Sequence, residues 1–192
     1  MALSVSFAWL RARPREMPDA AKAGLLLVCL KTIASSVGRE NSVKNDAAVK
    51  KTLRDLMDAQ RLAVLATHDT GQPHGSLVAF VVSDDLRDLV FVTSRATRKF
   101  ANLSKDARVA LVVDNRTNQE ADFQQAIAVT ISGRASEVSA NERAQWVKRY
   151  LQRHPCLQEF VQSPSCALVQ VHVEKYNLVE RFQNVVEIRF EQ

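Results

Sequence analysis

The sequence predicts a mainly β protein with flanking helices, built on an antiparallel barrel, and three observations carry that expectation. Five or six short apolar runs rich in Val, Leu, Ile and Phe recur between residues 62 and 190. Most are joined by tight turn signals, such as Asp69-Thr70-Gly71-Gln72-Pro73 and Ser83-Asp84-Asp85. Helical periodicity is confined to a few inserted stretches, and the short connections exclude a doubly wound parallel sheet.

From Asp46 the residues Val49, Leu53, Leu56 and Met57 recur at helical spacing, with Lys50, Lys51, Arg54, Asp55 and Asp58 between them, as in a helix lying on a core. Leu62, Val64 and Ala66 alternate as a strand does, and a second strand runs from about His74 to Val82. Leu89–Val92 is a central strand that ends at Thr93 and Ser94. Thr97 then caps a short helix over residues 98–103, with Phe100 and Leu103 on one side. Val109, Leu111 and Val113 form the next strand. Residues 114–118 read as polar loop, and a long strand runs from Ile127 to Val138. Ser139 and Glu142 have the spacing of a capping box that opens a helix through Trp146, Val147, Tyr150 and Leu151, ending before Pro155. Trp146 and Tyr150, one turn apart, read as core. A further strand alternates at Ala167, Val169, Val171 and Val173, and the Val185–Phe190 run reads as one more.

Residues 1–44 have a different character. Arg11, Arg13 and Arg15 precede Pro18, and the apolar run Ala23–Leu30 is far short of the roughly 20 residues of a membrane span. An export signal is disfavoured by Val28 and by Lys31, which closes the run early. These residues are expected to be an N-terminal extension, helical or poorly ordered, ahead of one domain over residues 45–192.

The 192 residues carry a net charge of +5 spread along the chain, with 46% hydrophobic and 24% charged residues. That suits a soluble protein with a real core and permits an anionic ligand. No Arg-rich arm or aromatic-basic repeat points to nucleic acid, and no segment points to a membrane. Cys29, Cys156 and Cys166 have no metal-like spacing, and one would be left over from a disulfide, so reduced thiols in a cytoplasmic protein are expected. His68, His74, His154 and His172 are scattered, and no metal site is expected.

The chemistry concentrates at Leu89–Leu103, L-V-F-V-T-S-R-A-T-R-K-F-A-N-L. A helix start presents unpaired N–H groups and the positive end of the helix dipole. Here it also carries Arg95, Arg98, Lys99 and the hydroxyls of Thr93, Ser94 and Thr97. A phosphate monoester is held by such donors; a solvated basic helix start is the alternative.

The order of these elements resembles the FMN-binding split-barrel proteins related to pyridoxamine 5′-phosphate oxidase, over about Val49 to Phe190. Four stretches carry the resemblance: L-A-V-L-A-T-H-D-T-G-Q-P-H-G-S as a first hairpin, L-V-F-V-T-S-R-A-T-R-K-F-A-N-L as a phosphate segment, D-A-R-V-A-L-V-V-D as the next strand, and A-V-T-I-S-G-R-A-S-E-V as the long strand before the capped helix. It implies an antiparallel six-stranded split β-barrel that binds FMN and assembles as a homodimer. Arg98 and Lys99 match the pair that holds the FMN phosphate, and Thr97 the hydroxyl residue before it. Val92 and Thr93 match strand-end residues that touch the flavin, while His74 and Ser76 fall on the strand lining the isoalloxazine ring. The match departs from the oxidase at four places: no Arg near His74, no Lys at about Ala79, no Gln at about Ala128 although Gln124 and Gln125 are nearby, and no clear match around Tyr176–Phe190 for the C-terminal substrate-binding Arg and Trp. Arg116 and Arg181 are the cations left for a phosphorylated substrate.

The resemblance therefore implies a flavin-dependent oxidoreductase acting on an unidentified small molecule. Its alternatives are a non-catalytic flavin-binding or sensing module and a haem-utilisation protein, with His154 and His172 as the nominal haem contacts. A deazaflavin in place of FMN is left open, as is the choice of electron donor.

Overall fold

Each strand of the barrel is paired along both edges, and the pairing follows from which runs a tight turn can join. The computed structural model describes residues 46–180 and 184–190. Strands β1 (Leu62–Asp69), β2 (Gln72–Val82) and β3 (Asp88–Ser94) are joined by hairpin turns. Helix α2 (Arg98–Lys105) then leads to β4 (Arg108–Asp114), and helix α3 (Asp122–Gln125) interrupts the path to β5 (Ile127–Glu137). Helix α4 (Ala140–Arg153), a 3₁₀ turn (Pro155–Leu157) and α5 (Gln158–Gln162) precede β6 (Cys166–Glu180) and β7 (Asn184–Arg189); α1 (Asp46–Ala59) precedes them all. The strand order is β3-β2-β1-β4-β5-β6, and β6 pairs back with β3 to close a six-stranded antiparallel barrel. One edge of β6 is shared, its first half with β3 and its second with β7.

Local chemistry fixes the corners. Asp69 pairs with Gln72, so the first hairpin turns on Thr70 and Gly71 alone, both at positive φ. A two-residue turn of that hand matches the twist of the flanking strands. Pro73 therefore lies within β2, not in the loop as its position in the turn signal suggests. In β5 the register slips at Gly133, where a Cβ would stand 2.3 Å from the carbonyl oxygen of His172. A glycine is required there because the bulge brings two backbones together.

The barrel interior holds Leu65, Phe80, Leu89, Phe91, Leu111, Ile131, Val169, Val171, Tyr176 and Leu178, all essentially inaccessible, and α1 adds Leu53 and Met57. Fully burying each such side chain is worth ~1.5–3 kcal/mol. A second apolar cluster lies outside the barrel, where Val81, Val90, Val92 and Leu168 pack under Tyr150 and Val161. Trp146 and Val147 pack against its rim, the core role that their spacing predicts. The Tyr150 hydroxyl donates to the Ala79 carbonyl (3.2 Å). Ladder pairing of β2 with β3 covers only residues 80–82 and 89–91, so Tyr150 wedges the place where these strands part.

Arg153 ties α4 to α1. Its guanidinium donates to the carbonyls of Met57 (2.6 Å), Asp58 (3.1 Å) and Gln60 (2.5 Å), satisfying the last turn of α1, while Arg61 donates to the Arg153 carbonyl (2.9 Å).

Two local expectations are revised, and one segment for which the sequence predicts no element holds a short helix. The segment before Ile127 holds the short helix α3, organised by Asp122, whose carboxylate accepts from the N–H groups of Thr117 and Gln119. Pro155 ends α4 as expected but opens a 3₁₀ turn and α5. The Ser139 hydroxyl bonds the Glu142 carboxylate directly (2.6 Å) instead of capping a backbone N–H. The N-terminal extension read over residues 1–44 lies outside the described residues.

The alternation Leu62, Val64, Ala66 lies on the outer face of the barrel. Ala63, Leu65 and Thr67 face in. Val64 pairs with both Leu77 and Val112, so Leu62 (54% exposed), Leu77 (66%) and Val112 (36%) form an exposed apolar strip across β2, β1 and β4. Among the described residues no helix is long and apolar enough to cross a membrane.

Candidate functional site

Helix α2 starts where β3 leaves the barrel, and side chains hold both of its ends. Thr97 has extended backbone, and its hydroxyl accepts from the Phe100 N–H (3.4 Å), as the sequence predicts for a cap. The same hydroxyl donates to the Ser94 carbonyl (2.8 Å) and lies 3.0 Å from that of Thr93, which is buried. Arg95 is held between the end of β5 and the first turn of the helix. It forms a forked ion pair with Glu137 at the end of β5 and lies 5.3 Å over the Phe100 ring. At the far end, Lys105 pairs with Asp69 (2.9 Å) and Asp106 with His68 (3.1 Å). Midway, the buried Asn102 donates to Thr67 (3.0 Å), whose neighbour across the β1–β2 ladder is His74.

Arg95 is thus spent on structure, and Arg98 and Lys99 are left. Arg98 is exposed and Lys99 half-buried, and among the described residues neither forms an ion pair. No carbonyl accepts from their N–H groups at the first turn. Two cations, two free backbone donors and nearby hydroxyls at the positive end of a helix dipole are the donor set of a phosphate dianion.

The other predicted positions divide. His74 and Ser76 face the same way as Thr67 and Leu65, toward the barrel end that α2 covers. The Ser76 hydroxyl is buried and has no hydrogen-bond partner. An orphaned buried hydroxyl is unfavourable unless a ligand or a water completes it. Thr93 joins the Thr97 cluster directly. Val92 points the other way, into the cluster under Tyr150. Sequence reasoning missed Asn102, a helical position with no motif around it, and the neutralisation of Arg95 by a residue 42 positions away.

The remaining candidates lie elsewhere. Arg116 pairs with Asp114 (3.3 Å) in the β4–β5 connection, and Arg181 is outside the described residues. His154 is buried, with Nε2 2.9 Å from the Phe80 carbonyl. His172 is exposed, with Nδ1 3.1 Å from Asp88. Cys156 is exposed and Cys166 buried, both as free thiols. Among the described residues no group of three or more His, Cys, Asp or Glu side chains is placed to hold a metal ion.

A closed six-stranded antiparallel barrel with flanking helices defines a split barrel as the class. The pyridoxamine 5′-phosphate oxidase family matches residues 49–180, and the chain belongs to that family. A 5a,11a-dehydrotetracycline/5a,11a-dehydrooxytetracycline reductase of Streptomyces rimosus is 33% identical over 86 residues, 43% of this chain and 58% of the reductase. The match thus spans little more than half of that relative's length. Two solved structures share the fold. A heme binding protein from Mycobacterium smegmatis is 17% identical with a TM-score of 0.62, over 70% of this chain and 55% of the other. An FAD-binding protein from Mesorhizobium loti is 17% identical with a TM-score of 0.55, over 67% and 90%.

Proposed function

We propose that this protein binds FMN and acts as a flavin-dependent oxidoreductase on a small molecule, as a homodimer. The observation that carries the reading is the start of α2, where, among the described residues, Arg98 and Lys99 form no ion pair and a Thr93–Thr97 hydroxyl pair lies at the cap. In this reading Arg98, Lys99 and Thr97 hold the phosphate. Ser76 and His74 face the ring, which completes the orphaned Ser76 hydroxyl. Bound flavin supplies the electron-transfer chemistry, so the protein needs no catalytic triad. The chain's own part is to bind, orient and shield. The phosphate grip rests on two cations and a helix end, because β2 has no Arg near His74 and carries Ala79 about where the oxidase has a Lys.

The haem reading is weaker on this geometry. His154 is buried between α4 and the barrel, and His172 sits beside Asp88 on the exposed outer side of the β3–β6 ladder.

Titration of FMN into the wild type and the Arg98→Ala, Lys99→Ala double variant tests the assignment. Losing charge-assisted contacts of this kind costs ~1.5–3 kcal/mol each, so affinity should fall at least tenfold. Equal affinities would remove the phosphate assignment, and an absorption spectrum of the purified protein separates flavin from haem.

A further inference from the structure

We propose a second ligand site, in the groove between α1, the β2–β3 turn and β7, that takes a nucleotide-sized phosphate monoester bearing a planar ring. The groove has a volume of about 870 Å³, within the range of small-molecule sites. It lies at the start of β3, whereas the Arg98–Lys99 helix start follows the end of that strand. Six residue steps along β3 separate the two by roughly 20 Å, so the inference is independent of the flavin reading.

Charge selects an anion. Lys50, Lys51, Arg54, Arg87 and Arg189 line the groove against Asp84, Asp85 and Glu187, an excess of two positive charges. The three carboxylates are already engaged. Asp84 is held by Arg149, which is not part of the lining. Asp85 accepts from the Ser83 hydroxyl (2.6 Å) and the Arg87 N–H (3.1 Å). Glu187 is shared by Arg189 (2.5 Å) and Lys175 (3.4 Å). Lys51 is paired with Asp55. Lys50 is exposed and has no partner among the described residues; Arg54, one turn along the same face of α1, donates only to the carbonyls of Ser83 and Asp84. Two cations on successive turns, Lys50 without a partner among the described residues and Arg54 near an Asp84 carboxylate that Arg149 already holds, suit a phosphate dianion.

Shape selects the rest of the ligand. Leu86, Ile188 and Phe190 give the groove an apolar wall, and the Arg87 guanidinium lies 5.1 Å over the Phe190 ring, a flat cationic surface against which a ring can stack. The wall is firmly built: Leu86 is buried at positive φ, its carbonyl accepts from the Tyr176 phenol (2.7 Å), and Phe190 meets Tyr176 edge-on.

Calorimetric titration of AMP, adenosine and inorganic phosphate into the full chain tests this, with the Arg98→Ala, Lys99→Ala background removing the other phosphate grip. AMP is expected to bind at least tenfold more tightly than either fragment. Lys50→Glu and, separately, Arg189→Glu should each weaken AMP at least tenfold without moving the thermal unfolding midpoint. The proposal is overturned if AMP fails to bind at millimolar concentration, if phosphate alone binds as tightly, or if both reversals leave AMP affinity unchanged.

Discussion

The hydroxyl oxygens of Thr93 and Thr97 lie 3.0 Å apart, one on the penultimate residue of β3 and the other on the cap of α2. This contact joins the strand that closes the barrel to the helix that presents Arg98 and Lys99.

Thr97→Val keeps the side chain's shape and removes the cap. It should lower stability by about 1 kcal/mol in urea unfolding, the usual worth of a threonine cap. FMN affinity should fall with it, by less than in the Arg98, Lys99 double variant, because the cations stay. Unchanged FMN binding would separate the hydroxyl cluster from the cofactor.

Leu77→Asp addresses assembly. Leu77, Val64 and Val112 form an apolar strip that water covers in a lone chain, and a second copy is the occupant that the family resemblance implies. An obligate interface of this kind buries on the order of 2,000 Å² or more. Sedimentation equilibrium at micromolar concentration should give twice the 21.4 kDa chain mass for the wild type and a shift to monomer for the variant. A wild type that sediments only as a monomer would end the homodimer proposal.

His154 makes the docking of α4 sensitive to acid. Burial, opposed by the bond to Phe80 and reinforced by Arg153 and Arg61, holds its pKa below the ordinary value. The unfolded chain therefore binds this proton more readily than the folded one. The contribution of neutral His154 is complete above about pH 6.5 and is lost as the pH falls below it. Chemical denaturation between pH 7.5 and 5 should show a smaller decline for His154→Gln, which can still donate to the Phe80 carbonyl. Parallel declines would show that His154 does not set the slope.

Turnover is tested anaerobically with FMN-loaded protein. We expect a reduced nicotinamide or a small organic substrate to bleach the flavin absorbance. Bleaching by a nicotinamide alone identifies a reductase, and bleaching by pyridoxine phosphate or pyridoxamine phosphate identifies the oxidase reaction despite the missing β2 cations. Bound flavin that no donor bleaches would place the protein among non-catalytic flavin binders.

The strands, the hairpin positions, the capped helix after β3 and the Arg98–Lys99 pair were legible in the chain itself. Each depends on neighbours within a few residues: a period-two alternation, a turn dipeptide, a threonine before a helical stretch. Inside and outside were not legible in β1, because Leu62-Ala63-Val64-Leu65-Ala66 is apolar on both faces and pattern alone cannot orient it. Only closure of the barrel through the β3–β6 pairing put Leu65 in the core and left Leu62 and Val64 on the surface. Only tertiary structure likewise spent Arg95 on Glu137, buried the Ser76 hydroxyl without a partner, and gathered Lys50, Arg87 and Arg189 around one groove. These relationships join residues tens of positions apart, and their partners are chosen by strand register and closure, which no local run of residues encodes.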